Sequence, residues 1–275
     1  MKYSRLNVLA CGFAIAGFFA AGAARAEIRT QHVDYKVGDQ VFEGFLAYDD
    51  AAKDKRPGVL IAHNKRGISE HTEGIAIKLA KLGYVAFAAD SYGKGLRFSK
   101  EDDDGSTEQS QKLKKDRAMT RARIKAAYDV LTADSHVDTS KLAVTGYCLG
   151  GMVALELARS GAPVKAVAIF HGTLDTPTPE DAKNIKGRVL VMHGMDDRSV
   201  PVTDAYKLAD EMRAAKVNFQ LELYSGVVHG FTEPANKPAP GKKTAYDARA
   251  DQKSWAAMQD LFHEVFDGNG TVTAH

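Results

Sequence analysis

Short, almost wholly apolar runs alternate along this chain with longer stretches whose apolar positions recur at helical spacing. The runs are Gly58-Val59-Leu60-Ile61-Ala62-His63, Tyr84 to Asp90, Leu142-Ala143-Val144, Val164 to Phe170 and Arg188 to His193. None shows a polar face, which is the mark of strands covered on both sides in a parallel sheet. Helical spacing predicts helices over about Ser69 to Leu82, ending at Gly83, and from roughly Glu108 to Leu131, with a core stripe of Met119, Ile124, Ala127 and Leu131. It predicts others over Met152 to Ala158, Thr203 to Ala215 and about Ala250 to Phe266. Phe219 to Tyr224 reads as a further strand. Gln40 to Tyr48 alternates as an antiparallel strand does, and Tyr35-Lys36-Val37 before Gly38 reads as its hairpin partner. The fold class is therefore α/β, a mostly parallel doubly wound sheet with an antiparallel N-terminal edge. A right-handed crossover is expected between the first two buried strands.

Two stretches fall outside this pattern. Ser91 to Ser110 is polar, and its acids Glu101 to Asp104 before Gly105 read as a solvated loop and the first turn of a helix rather than a metal site. At the N-terminus, Lys2 and Arg5 precede an apolar run from Leu6 to Ala21, and Ala24-Arg25-Ala26 has the small-x-small form of a cleavage site. Residues 1–26 read as a secretory signal peptide, leaving 27–275 as a single domain. The expected location is periplasmic or secreted, with no stable membrane span after cleavage. Removing Lys2, Arg5 and Arg25 from 37 basic residues leaves 34 against 35 acidic ones, a formal charge of −1. The basic excess of the whole chain thus carries no implication of nucleic-acid binding. Cys11 goes too, which leaves Cys148 as the only cysteine. Oligomeric state is open.

Cys148 stands where chemistry is expected. In Lys141 to Met152, KLAVTGYCLGGM, an apolar strand runs into Gly146-Tyr147-Cys148-Leu149-Gly150-Gly151 and then a helix. Glycines flank a strand-to-helix residue where a sharp strained turn leaves no room for side chains. The amide of Leu149 would hold an oxyanion, and the helix N-terminus favours a thiolate on Cys148. Catalytic groups in such sheets sit at the carboxyl ends of strands. That rule selects Asp197, with Asp196 as the alternative, after one strand, and His229 after another. The chain order is nucleophile, acid, histidine. His63, His171 and His193 also end strands; they read as structural, and their spacing argues against a zinc site.

The chain resembles the dienelactone hydrolase family of the α/β-hydrolase superfamily. The likeness rests on Gly146 to Gly151, on Phe170-His171-Gly172-Thr173-Leu174-Asp175-Thr176-Pro177, on His193-Gly194-Met195-Asp196-Asp197 through Val200-Pro201, on His229-Gly230-Phe231 and on Asp251-Gln252-Lys253-Ser254-Trp255. It implies a Cys148, His229, Asp197 triad that hydrolyses a small-molecule ester or lactone through a thioester, without cofactor or metal. It also implies Lys65 as the second oxyanion amide. One departure stands out: the family has a glutamate next to the thiol where this chain has Asn64, which cannot take a proton. The family's carboxylate-binding arginine falls on Lys94, with Arg97, Arg66 and Lys65 nearby, so an anionic substrate is one expectation and a solvated basic loop the other. A thioesterase or peptidase-like acyl transfer, and an exported binding protein on a degenerate hydrolase fold, are the alternative functions.

Overall fold

The structure, a computed structural model, describes residues 27–99 and 102–268. The segment read as an export signal lies outside them, as does Glu101. Eight strands form one sheet: β1 (Ile28–Val37), β2 (Gln40–Asp49), β3 (Arg56–Ala62), β4 (Val85–Ala89), β5 (Val137–Tyr147), β6 (Ala166–Phe170), β7 (Arg188–Gly194) and β8 (Phe219–Tyr224), in the order β1-β2-β4-β3-β5-β6-β7-β8. β1 pairs antiparallel with β2, and β2 antiparallel with β4, while β3 to β8 pair in parallel. The antiparallel edge is the one the alternation predicts. Its outer strand is longer than the three residues expected, because all ten positions from Ile28 to Val37 find partners in β2.

Helices α1 (Glu70–Lys81) and α6 (Ala248–Phe266) cover one face, where Ile75, Leu79, Met258 and Phe262 pack on Val59, Ile61 and Phe170. The other face carries α2 (Asp103–Lys115), α3 (Arg117–Ala133), α4 (Leu149–Arg159) and α5 (Val202–Ala214). There Leu113, Ile124, Leu155 and Leu208 meet Leu60, Val144 and Val191. The single long helix expected from Glu108 to Leu131 is in fact two. At Asp116 the backbone leaves helical angles, with φ −115° and ψ 89°, and its carboxylate accepts the Met119 amide at 2.8 Å. Aspartate competes for backbone donors as a cap, so a break there needs neither glycine nor proline.

β3 lies between β4 and β5, so successive crossovers leave it in opposite directions. Such a switch opens a crevice at the strands' carboxyl ends. The loop after β3 and the start of α4 meet there. α4 is buried along its whole length, and at its far end the fully buried Arg159 donates to Glu211 at 2.9 Å through both Nε and Nη2, beside Glu156. Arg159→Ala would leave the Glu211 carboxylate, 7% exposed, without its cation, while Glu156 would keep Arg121 at 2.6 Å. The substitution is expected to cost about 3–5 kcal/mol in urea unfolding, whereas Arg213→Ala on an exposed pair should cost less than about 1 kcal/mol.

Candidate active site

Cys148 sits between the last residue of β5 and the first of α4 in a conformation that L-residues seldom adopt, φ 53° and ψ −118°. Such strain costs about 1–3 kcal/mol and persists only where surroundings over-determine it. Three backbone bonds do so: the Cys148 amide donates to Phe170 at 3.2 Å, and its carbonyl accepts from Gly151 at 3.0 Å and Thr173 at 2.8 Å. The glycines are required by contact. A Cβ on Gly146 would lie 2.1 Å from the Gly150 carbonyl oxygen, and one on Gly150 would lie 2.1 Å from that of Ala62. The second approach brings the start of α4 against the end of β3. It thereby sets Cys148 and the loop that carries Lys65 on one cavity.

The acid and the base arrive from β7 and β8. Asp197 has no exposed side-chain surface. Its Oδ1 accepts the amides of Ser199 at 2.7 Å and Val200 at 2.8 Å, and its Oδ2 faces His229 Nδ1 at 2.7 Å. Asp196 is exposed, which decides between the two carboxylates. His229 is held through its backbone, its carbonyl accepting from Ala245 at 3.1 Å. Its ring and the Cys148 thiol line one cavity, where each bears on the other's ionisation. The three groups named from the sequence thus come together at one site.

Burial works against charge on both members of the thiol–imidazole pair, and in both it is outweighed. For Cys148, the charge of His229, the hydrogen bond to it and the Leu149 amide bring the thiol below its ordinary value, with Glu233 acting in the other direction. For His229, the Cys148 thiolate and then the bond to Asp197 overcome burial and raise it to about 10. Each group thus favours the charged form of the other. His171, whose ring lies 5.1 Å from that of His229, is held well below the ordinary histidine value by burial and then by His229 itself. It stays neutral and bonds Thr232 Oγ1 at 2.8 Å.

The remaining strand-end histidines have structural work. His63 uses Nδ1 on the Asn64 carbonyl at 2.6 Å and accepts the Ser91 amide on Nε2 at 3.0 Å, which anchors the turn after β3. His193 Nε2 bonds the Val200 carbonyl at 2.9 Å and braces the Asp197 loop. Among the described residues no group of three or more His, Cys, Asp or Glu side chains is placed to hold a metal ion.

A cavity of about 250 Å³ lies over the thiol, lined by Asn64, Lys65, Arg66, Ser199, His229, Gly230, Glu233, Asn236 and Thr244. A wider hollow adjoins it past Arg66 and Glu233, bounded by His71, Arg97 and Phe98. Of the basic candidates, Arg66 lines the cavity, Arg97 lines only the hollow, and Lys94 lines neither. Each is engaged by acids. Lys94 Nζ lies 2.6 Å from Asp34 and 3.3 Å from Glu43, and Arg97 reaches Glu43 at 2.7 Å and Glu73 at 3.6 Å. Lys65 pairs with Asp103, and Arg66 lies 3.7 Å from Glu233.

Glu233 is the site residue that sequence reasoning missed. Asn64 Nδ2 donates to its Oε1 at 2.7 Å, while Asn64 Oδ1 accepts the Arg66 amide at 2.9 Å. The asparagine therefore orients a carboxylate delivered from elsewhere in the chain. The available signal was position: Glu233 lies four residues beyond His229 in Gly230-Phe231-Thr232-Glu233-Pro234.

Comparison with known proteins places this geometry. A model of the dienelactone hydrolase family matches residues 42–266. The solved structure titled m3DLH superposes with a TM-score of 0.82 at 38% identity, covering 87% of this chain and 99% of its own. A dienelactone hydrolase-like promiscuous phosphotriesterase from metagenomic libraries gives 0.81 at 37%, covering 88% and 99%. A Yersinia pestis protein provisionally named carboxymethylenebutenolidase is 27% identical over 82% of this chain and 84% of its own.

Proposed function

This chain belongs to the dienelactone hydrolase family, and from that premise we propose that it is a cysteine-dependent hydrolase of carboxylic ester or lactone bonds working through a thioester on Cys148. The observation that carries the reading is the meeting of Cys148 and His229 on one cavity, with His229 Nδ1 2.7 Å from Asp197 Oδ2. The thiolate attacks the carbonyl carbon, and the oxyanion is taken up by the amides of Leu149 and Lys65. Collapse breaks the carbon–oxygen bond, and the leaving alkoxide receives its proton from His229. In the thioester the thiolate charge is gone. The largest influence raising His229 goes with it, so the ring can now accept a proton from water as that water attacks. The second collapse expels the thiolate and frees the acid.

The test is a pair of measurements on one protein. Mixing with excess p-nitrophenyl ester should release a burst of p-nitrophenol equal to the enzyme present, with the acyl mass found on Cys148. Alkylation rate against pH should give a thiol titrating below the free-cysteine value. In His229→Ala it should titrate above that value, since burial and Glu233 then meet only the Leu149 amide. A protein that alkylates as expected yet neither bursts nor turns over would favour a binding protein on a hydrolase fold. The 37%-identical promiscuous phosphotriesterase supports neutral phosphotriesters as a second substrate class, their phosphoryl oxygen occupying the same amide cradle. Export is likewise proposed, supported by the run Leu6 to Ala21 behind Lys2 and Arg5; N-terminal sequencing of the protein recovered from its native source should begin at Glu27.

A further inference from the structure

We propose that Glu233 sets the charge specificity of the catalytic cavity: by occupying Arg66 it leaves no lining cation free for a substrate carboxylate, so the cavity takes an uncharged acyl group and discriminates against an anionic one. The proposal rests on the hydrolase reading and names its substrate class. The charged groups that face the thiol come from three loops. From the loop after β3 come Lys65 and Arg66, from the loop after β7 comes Asp197, and from the segment after β8 come His229 and Glu233. Each cation among them has an acid beside it: Lys65 has Asp103, Arg66 has Glu233, and His229 has Asp197 as well as the Cys148 thiol.

Glu233 is placed to do this and little else. It is 7% exposed, and its closest polar contact is the neutral amide of Asn64, which adds no charge while fixing the carboxylate in the wall shared by the cavity and the adjoining hollow. In so confined a space a fixed charge is screened far less than on the surface. Lys94 and Arg97, which the sequence offered as anion contacts, lie against Glu43 outside the cavity and cannot replace Arg66 there. Glu233→Gln keeps the shape and the acceptor for Asn64 but releases Arg66. Arg66→Gln does the opposite and leaves Glu233 without its cation.

The experiment reads the thiol directly, with neutral iodoacetamide and anionic iodoacetate as probes at neutral pH. Glu233→Gln should shift the iodoacetate-to-iodoacetamide rate ratio about tenfold toward the anion, and Arg66→Gln should shift it by a similar factor the other way. Ratios within twofold of wild type in both variants would overturn the proposal, and either variant suffices should the other fail to fold. A second arm compares kcat/KM for p-nitrophenyl valerate and mono-p-nitrophenyl glutarate, matched in length. Wild type should favour the neutral ester by about tenfold, and Glu233→Gln should narrow the gap. Equal use of both esters by wild type would sink the charge assignment while leaving the hydrolase reading in place. Ratios that shift as expected in a protein that hydrolyses neither ester would uphold the assignment and defeat the hydrolase reading.

Discussion

Cys148→Ala should lower turnover of an activated ester by at least about 10⁴-fold while leaving the protein folded. The backbone at this position is fixed by Phe170, Gly151 and Thr173 through main-chain bonds that the substitution does not touch. Removing the sulfur therefore removes the nucleophile and nothing that holds the turn. A second readout separates loss of the nucleophile from general damage. Because the thiolate is the largest influence raising His229, that histidine should fall from about 10 toward its ordinary value in the variant, measurable by NMR titration of the ring. The sign follows from what remains: burial disfavours the imidazolium, and Asp197 alone supports it. Activity surviving in Cys148→Ala would remove the thioester from the mechanism. An unmoved His229 titration would remove the ion pair.

Asp197→Asn should cost about 10³- to 10⁴-fold in kcat with little loss of stability, and the reason lies in how the carboxylate is anchored. Oδ1 is already committed to the Ser199 and Val200 amides, so an asparagine keeps its carbonyl oxygen there and turns its NH₂ toward His229. Nδ1 must then accept rather than donate. The proton moves to Nε2 of a neutral ring, where it can neither withdraw the thiol proton nor be held as imidazolium. The thiol should accordingly titrate higher than in wild type, which an alkylation profile against pH would record. Asp196→Asn, on the exposed neighbour, should leave both quantities within twofold. Equal effects from the two substitutions would mean that Asp197 is not the carboxylate that orients the histidine.

Much of this was legible in the residues, and the reason is local. Strands buried on both faces must be apolar throughout, so β3, β4, β6 and β7 announce themselves. A strand-to-helix turn that excludes side chains must be glycine-rich, so Gly146 and Gly150 point at Cys148. With Cys148 singled out, chain order and strand ends supply Asp197 and His229, and the three do meet. The break at Asp116 was not legible, because a capping aspartate inside a polar helical stretch looks like any solvated acid until its carboxylate is seen on the Met119 amide.

The charge of the cavity was also beyond the sequence. Lys65, Arg66, Lys94 and Arg97 read together as a basic cluster, yet their partners Asp103, Glu233, Asp34 and Glu43 come from segments far along the chain. Asn64 read as a lost carboxylate, whereas folding sets Glu233, 169 positions away, against its side chain. Sequence alone determined the sheet, the turn and the strand-end positions of Cys148, Asp197 and His229, since each is dictated by neighbours within a few residues. Only the tertiary structure decided the net charge around the thiol, because an ion pair between distant segments has no local signature and forms only when the sheet brings its loops to one edge.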